Sequence, residues 1–308
     1  LNHIKNFCGK EVFVLRYIDS RYKKASNLNI DKNYIFDLKS NKGNRSLVNY
    51  IKNFNRFKPV SWAFVVKKKF LHLNNIYFKE ITISEDRPFV LEILCLAKSF
   101  KIIEKPTYIY QRFTPNTLTA RAGYIVVISN IKIIHEIGLF INKKKKFLNK
   151  LEIKFLFTML QIAVSNIFTD IIICKLNEIK KISKYLYKYN LIFLKLSNFG
   201  FKKLDFFLQK DKNINERLLE YKSKKIEVLK KKFGKLKYHN TILFCAGKSS
   251  VIASKILTSM GAKITIIIDN NPHFSGQKIN NAIIKNPLYL RNNLNKFLNH
   301  KILICINN

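Results

Sequence analysis

The sequence predicts an α/β protein, and three observations carry that prediction. Apolar runs of strand length recur at both ends of the 308-residue chain, at 10–17, 61–66 and 107–113, and again at 241–246, 263–268 and 301–306. The stretch between them, 126–237, is almost free of Gly and Pro and reads as several helices. Near the C-terminus a strand, a turn, a helix and a second strand follow one another through short loops, which is the pattern of a βαβ unit and so of a parallel sheet. The chain therefore divides into a mixed zone, 1–125, a basic helical region, 126–237, and a parallel-sheet module, 238–308.

The elements follow in order. Residues 10–17 (KEVFVLRY) form a strand with a buried face, and 61–66 reads similarly. From Pro88 to Lys98 the spacing is helical, with Phe89, Ile93 and Leu96 at i, i+4 and i+7 and a proline tolerated in the first turn. Alternation over 107–113 sets Tyr108, Tyr110 and Arg112 on one face of a strand. The longest uncharged apolar stretch, Phe155 to Thr169, contains Gln161 and Asn166 and falls short of the roughly 20 residues that span a bilayer, so it predicts a buried helix. Ile179, Ile182, Leu186 and Tyr189 keep helical spacing while Lys180, Lys181, Lys184 and Lys188 take the other faces. Lys222 to Lys237 holds eight Lys against one Glu and reads as a basic connecting helix. In the last zone, 241–246 is a strand, 247–250 a turn, Val251–Met260 a helix stopped by Gly261, and Lys263–Ile268 a strand ending at Asp269. A helix over Pro287–Asn299 and a third strand over Lys301–Ile306 complete it.

Composition narrows the function classes. Hydrophobic residues make up 47 %, with 25 Phe, which excludes a disordered chain. The five Cys, at 8, 95, 174, 245 and 305, form no CxxC pair, so neither a zinc knuckle nor a disulfide scaffold is indicated, and a reducing cytoplasm fits. No two of the six His sit at i, i+3 or i, i+4, and no Walker-type or G-x-S-x-G loop occurs. Residues 1–20 lack the apolar core of a secretory signal. The chain opens on Leu, which leads us to expect a missing N-terminal part.

The net charge of +38 has two readings. Forty-eight of the 57 basic residues are Lys and nine are Arg, in a chain rich in Asn, Ile and Phe, as an A/T-biased coding sequence gives. A solvated, drift-enriched surface is one reading, and attraction to a polyanion or an anionic membrane is the other. Scarce Arg and the lack of a nucleic-acid motif argue against a nucleic-acid partner. Peripheral contact with the inner face of the cell membrane is expected through the amphipathic run 179–189 and the basic helix 222–237.

Carboxylates are scarce enough to survey one by one. Only Glu85 and Asp86 are adjacent among nineteen, and they stand where a strand-like segment meets a helix start. The helix dipole and free N–H groups there are expected to keep a carboxylate pKa low. The pair reads either as helix capping, with Ser84, or as an ionised general base.

Three blocks in order within 65 residues resemble the acceptor-side half of bacterial family-2 glycosyltransferases, which have the GT-A fold. Residues 59–78 (PVSWAFVVKKKFLHLNNIYF) resemble the family's W-x-K-L-Y-R-x-x-F-L-x-x-N-x-x-F, 85–89 its E-D-x-x-F, and 106–119 (PTYIYQRFTPNTLT) its P-L-Y-x-Y-R-x-R-x-x-S-I-T. The resemblance implies that Asp86 deprotonates the attacking sugar hydroxyl with Glu85 beside it. It also implies that Trp62 lines the floor of the site, and that Arg112 and Asn116 lie near acceptor or donor phosphates. Departures are Ala-Phe-Val-Val in place of K-L-Y-R and Phe113-Thr114 in place of a second Arg. The implied donor is a nucleotide-sugar, with a divalent metal in the full-length family, and the acceptor a glycan or lipid-linked glycan. The family's base-reading Asp and D-x-D metal ligands do not occur here, so the metal ligands are expected to lie outside this sequence. An inactive remnant or a regulatory nucleotide-binding subunit is the alternative.

The last zone resembles a Rossmann-like module with the pattern G-A-G…D-N-N-P…G, here Cys245-Ala-Gly247, then 269–272 (DNNP), then Gly276. That resemblance implies cofactor contacts from Gly247, and from Asp269, 22 residues on, to a ribose hydroxyl. Cys245 and Ser250 replace two of the fingerprint glycines, which points to a structural or regulatory role rather than NAD chemistry.

Overall fold

The structure, a computed structural model, describes residues 10–19, 46–51, 53–110, 123–209, 213–237, 239–245, 247–270 and 274–305. It is mixed α/β, with two mixed sheets and ten α-helices among the described residues. Two compact units emerge: Leu1–Arg112 with Ile125–Ile167 and Lys184–Lys210, and Phe113–Tyr124 with Phe168–Ser183 and Asp211–Asn308.

The first unit is built on a three-stranded sheet. β1 (Val12–Asp19) lies between β2 (Phe64–Val66), antiparallel to it, and β3 (Phe100–Tyr110), parallel to it. Val12, Phe13 and Val14 are all buried, as a strand covered on both faces requires. The strand read at 61–66 begins as a 3₁₀ turn, Ser61–Ala63, and extends only from Phe64. α1 (Lys68–Asn74) follows β2, and α2 (Asp86–Leu96) leads into β3. α2 starts two residues before Pro88, which therefore stands in the first turn, where its missing N–H costs nothing. Every residue from Pro88 to Cys95 is buried, so the helix is enclosed all round and not along the single stripe its spacing predicts.

The helical region comprises α3 (Tyr124–Lys144), α4 (Lys150–Ile171), α5 (Leu176–Lys188), α6 (Asn190–Asn198) and α7 (Asp205–Leu208). α3 and α4 are long and apolar enough to cross a membrane by length and composition, and about half of each apolar window is buried inside the fold. α4 begins with a capping box: the Glu152 N–H donates to Asn149 Oδ1 at 3.0 Å, and the Asn149 N–H donates to Glu152 Oε2 at 2.9 Å. Phe155, Leu156, Leu160, Ala163 and Ile167 are then buried, as the sequence predicts. Ile179, Ile182 and Leu186 on α5 are buried too, which removes the apolar face expected to meet a membrane. Gly138 lets α3 approach α6 closely. A Cβ there would lie 2.9 Å from Leu196 Cδ1 and 3.0 Å from Ile192 Cγ2.

The second unit contains α8 (Ile214–Phe233), β4 (Asn240–Phe244), α9 (Lys248–Ser259), β5 (Lys263–Ile268), β6 (Lys278–Ile279), β7 (Ala282–Lys285), α10 (Pro287–Arg291) and β8 (Lys301–Ile304). The sheet order is β6-β7-β5-β4-β8, parallel except for the edge strand β6. Leu243, Leu257, Ile267 and Ile284 pack in one cluster, and Ile242, Ile266 and Ile268 pack in another with Tyr289 and Phe297. Gly261, at φ +87°, closes α9 so that the Ala262 N–H reaches the Leu257 carbonyl at 3.0 Å. Two features differ from the sequence reading. The helix expected over 287–299 is α10 followed by a separate 3₁₀ turn, Leu294–Phe297, because Asn292 and Asn293 interrupt it. The β6–β7 hairpin turns at Asn280-Asn281, with Asn280 in the left-handed region at φ +51°.

Gly138→Leu should overpack the α3–α6 contact and cost roughly 1–3 kcal/mol, seen as a lower melting temperature in thermal unfolding. Gly138→Ala should cost less, since its better helix propensity offsets part of the clash.

Candidate active site

Ser84 occupies the left-handed region at φ +60°, a conformation that costs a non-glycine residue roughly 1–2 kcal/mol. Its surroundings hold it there. The Ile83 N–H donates to Ser129 Oγ on α3 at 3.3 Å, and the Arg87 N–H donates to the Ser84 carbonyl at 3.0 Å. Ile81 and Ile83 anchor the approach in the core. Strain of this kind, imposed by the fold, places Glu85 and Asp86 at the start of α2.

Asp86 is the first residue of α2, and its Oδ2 accepts the Ser61 N–H at 3.3 Å. Trp62, half-buried, follows Ser61 in the 3₁₀ turn, so the structure brings Trp62's turn to the Asp86 carboxylate. Burial pushes the Asp86 carboxyl up from its ordinary value, and the neighbouring Glu85 charge adds to the rise. The Ser61 N–H and the Arg87 guanidinium pull the other way and do not overcome it. This corrects the expectation of a low pKa: the backbone amides of Ser61 and of Asp86 itself do not replace the water lost beside a helix that is enclosed all round. Glu85 precedes the helix with helical dihedrals and makes no capping hydrogen bond.

The floor beneath this junction is polar. Arg87 Nη1 donates to Asn130 Oδ1 at 3.4 Å, Asn166 Nδ2 donates to the same oxygen at 3.5 Å, and Asn130 Nδ2 donates to the Val126 carbonyl at 2.8 Å. The sequence reading missed Ser129, Asn130 and Asn166. Their signal is a pair of polar residues inside the apolar run of α3 and one in α4, which must find partners when buried. Arg112 and Asn116 lie outside the described residues. Among the described residues no three His, Cys, Asp or Glu converge to hold a metal ion, so Glu85 and Asp86 alone do not fit one.

In the second unit, Cys245 follows β4 at φ +76°, the backbone that a fingerprint glycine favours. Its N–H donates to the Ile268 carbonyl at 2.7 Å, and Ser250 Oγ donates to the Cys245 carbonyl. Cys245 and Asp269 follow the paired ends of the parallel strands β4 and β5, and burial together with the Asp269 charge pushes the Cys245 thiol up. The Asp269 N–H donates to the Lys285 carbonyl at 3.0 Å. Gly247 precedes α9 in extended conformation, and a Cβ there would meet open space. Gly247 and Asp269 thus stand at the C-terminal ends of neighbouring parallel strands, Gly247 at a helix N-terminus suited to an anion.

No family model matches this chain, and no curated protein or solved structure matches it either.

The raised Asp86 pKa has a sign in stability. The folded carboxyl binds its proton at higher pH than the unfolded one, so ionisation destabilises the fold as pH rises from the unfolded value through the folded one. Asp86→Asn keeps an acceptor for the Ser61 N–H and removes that penalty. It should raise the melting temperature at neutral pH, with the gain vanishing in acid where Asp86 is protonated in both states. A melting temperature lowered at neutral pH would assign Asp86 to a helix-end charge role.

Proposed function

We propose that residues 1–125 are the acceptor-side part of a GT-A glycosyltransferase resembling family 2, acting in bacterial surface polysaccharide synthesis at the cytoplasmic membrane face. The observation that carries this reading is a desolvated carboxylate, Asp86, fixed through one oxygen by the Ser61 amide beside Trp62. Three sequence blocks around it support the same reading.

A sugar hydroxyl attacks poorly until its proton is taken. As its oxygen forms the bond to the anomeric carbon of a nucleotide-sugar, the proton passes to Asp86. The bond from that carbon to the nucleotide phosphate breaks, and its electron pair leaves with the diphosphate. Desolvation raises the proton affinity of Asp86 toward the working pH, where a general base is most effective. Glu85 supports it by like charge, Trp62 offers an apolar floor for a sugar ring, and Arg112 and Asn116 attend phosphates. A divalent metal would neutralise the leaving diphosphate, and the described residues of this chain offer no set that would hold one. The family's D-x-D metal ligands and base-reading Asp have no counterpart among the motifs of this sequence.

For residues 238–308 we favour a Rossmann-like module with a structural or regulatory role. The observation behind it is the left-handed Cys245 between β4 and α9, with open space at Gly247 and Asp269 opposite.

Joined to a donor-binding half, the chain should transfer sugar to a glycan acceptor, and Asp86→Asn should cut turnover by about 10²-fold or more with the fold retained. Glu85→Gln should cost less. Near-normal turnover per folded Asp86→Asn molecule would remove the base assignment. Calorimetry of the chain alone with UDP and Mn²⁺ should show no metal-dependent binding in the first unit. Such binding, lost on substitution within 1–125, would overturn the division of labour.

A further inference from the structure

α6 is apolar on two sides. Ile192, Phe193 and Leu196 are buried beneath it, while Leu191 and Leu194 are 67 % and 46 % exposed on the opposite face. Lys195 and Asn198 fall at i+4 and i+7 from Leu191 and share that outer face. Close to the C-terminal turns of α3 and α6 lies a cleft of ≈ 340 Å³. Asn142, Lys145, Lys195 and Asn198 supply its polar groups over a floor that includes Ile141 and Leu196, and no carboxylate is found among its described lining residues. The turn that follows α3 carries Lys145 and Lys146 and then Phe147, which is 78 % exposed. Phe199, at the other wall, is steadied edge-on by Phe157 with ring centroids 6.2 Å apart.

We propose that this face of the first unit docks on an anionic phospholipid bilayer, with a headgroup phosphate seated between Lys145 and Lys195. The two ammonium groups neutralise the phosphate and the two amides donate hydrogen bonds to its oxygens. Phe147, Leu191 and Leu194 enter the boundary between headgroups and acyl chains, and the lysine stems lie along the apolar surface with their charges in the headgroup layer. Charge complementarity selects this occupant: Lys145, Lys146, Lys195, Lys202 and Lys203 are the ionic side chains of the turn after α3 and of the α6–α7 segment up to Asp205. A soluble phosphate leaves the exposed Phe147 and Leu191 without a role, and single-stranded nucleic acid favours Arg, which the α3–α4 turn and α6 lack. The surface is distinct from the one the sequence suggested on α5, where Ile179, Ile182 and Leu186 are buried. It also stands independently of the reaction assigned to Asp86.

The test is co-sedimentation of the full chain with phosphatidylcholine vesicles, with and without phosphatidylglycerol, across a salt series. Lys145→Gln with Lys195→Gln should weaken binding to the anionic vesicles roughly 30-fold, which is about 2 kcal/mol at about 1 kcal/mol for each lysine near the surface. The same charge change at Lys230 and Lys231 on α8 should alter binding far less. In a Phe147→Trp variant, tryptophan emission should shift to the blue on adding anionic vesicles and not on adding phosphatidylcholine alone. Equal losses from the two lysine pairs, or no shift at position 147, would reduce the effect to general electrostatics and overturn the proposal. Retention of inorganic phosphate or duplex DNA through Lys145 and Lys195, without vesicle binding, would overturn it as well.

Discussion

Everything about the candidate active site depends on the enclosure of α2. From Pro88 to Cys95 the helix is buried on every side, including Glu92, whose charge is met by Lys79 at 3.4 Å. Enclosing a helix of this length removes apolar surface from water at about 25 cal/mol per Å² and fixes its position firmly. It also leaves the first residue, Asp86, at the edge of a region from which water is excluded. A carboxylate there loses hydration that the nearby backbone amides do not replace, and its proton affinity rises. The same burial that stabilises the unit therefore produces the one chemically altered carboxylate at the junction.

The rest of the unit holds that junction still. Ser84 is kept in an unfavourable backbone conformation by a bond from Ile83 to Ser129, and Arg87 is tied to Asn130, which Asn166 also reaches. α3 and α4 are strongly apolar, and three of their polar residues, Ser129, Asn130 and Asn166, are linked by hydrogen bonds to one another or to the segment that begins α2. Burying such groups without partners would cost far more than the bonds give back, so their pairing specifies one packing of α2 on α3 and α4. The exterior follows a different rule. Lysine covers it broadly, as coding bias alone would give, and the informative places are those where lysine borders exposed Phe and Leu without acids.

The strands and the βαβ unit were legible because their signals are local. Lys263–Ile268 is a strand with the bounds the apolar run predicts, and Gly261 ends α9 through a left-handed turn. The Glu85-Asp86 pair was likewise placed correctly at a helix start. What the sequence left hidden depends on tertiary surroundings. A stripe at i, i+4 and i+7 says that one face of α2 is buried and cannot say that the others are, so the direction of the Asp86 shift was misjudged. The positive φ of Ser84 has no sequence mark, since serine rarely adopts it. The Asn280-Asn281 turn does carry a local mark, a two-residue loop of turn formers between two short strands. The apolar spacing on α5 was real, but spacing does not say whether protein or lipid covers the face.

The central claim, that enclosure of α2 raises the proton affinity of Asp86, is tested most directly by following the Asp86 carboxyl carbon through a pH titration with ¹³C NMR, assigned by comparison with Asp86→Asn. The account predicts a midpoint above that of a solvent-exposed aspartate, and a fall toward the ordinary value when Glu85→Gln removes the neighbouring charge. A midpoint at or below the ordinary value would contradict it, leaving the helix dipole and the Ser61 amide as the dominant influences on that carboxylate.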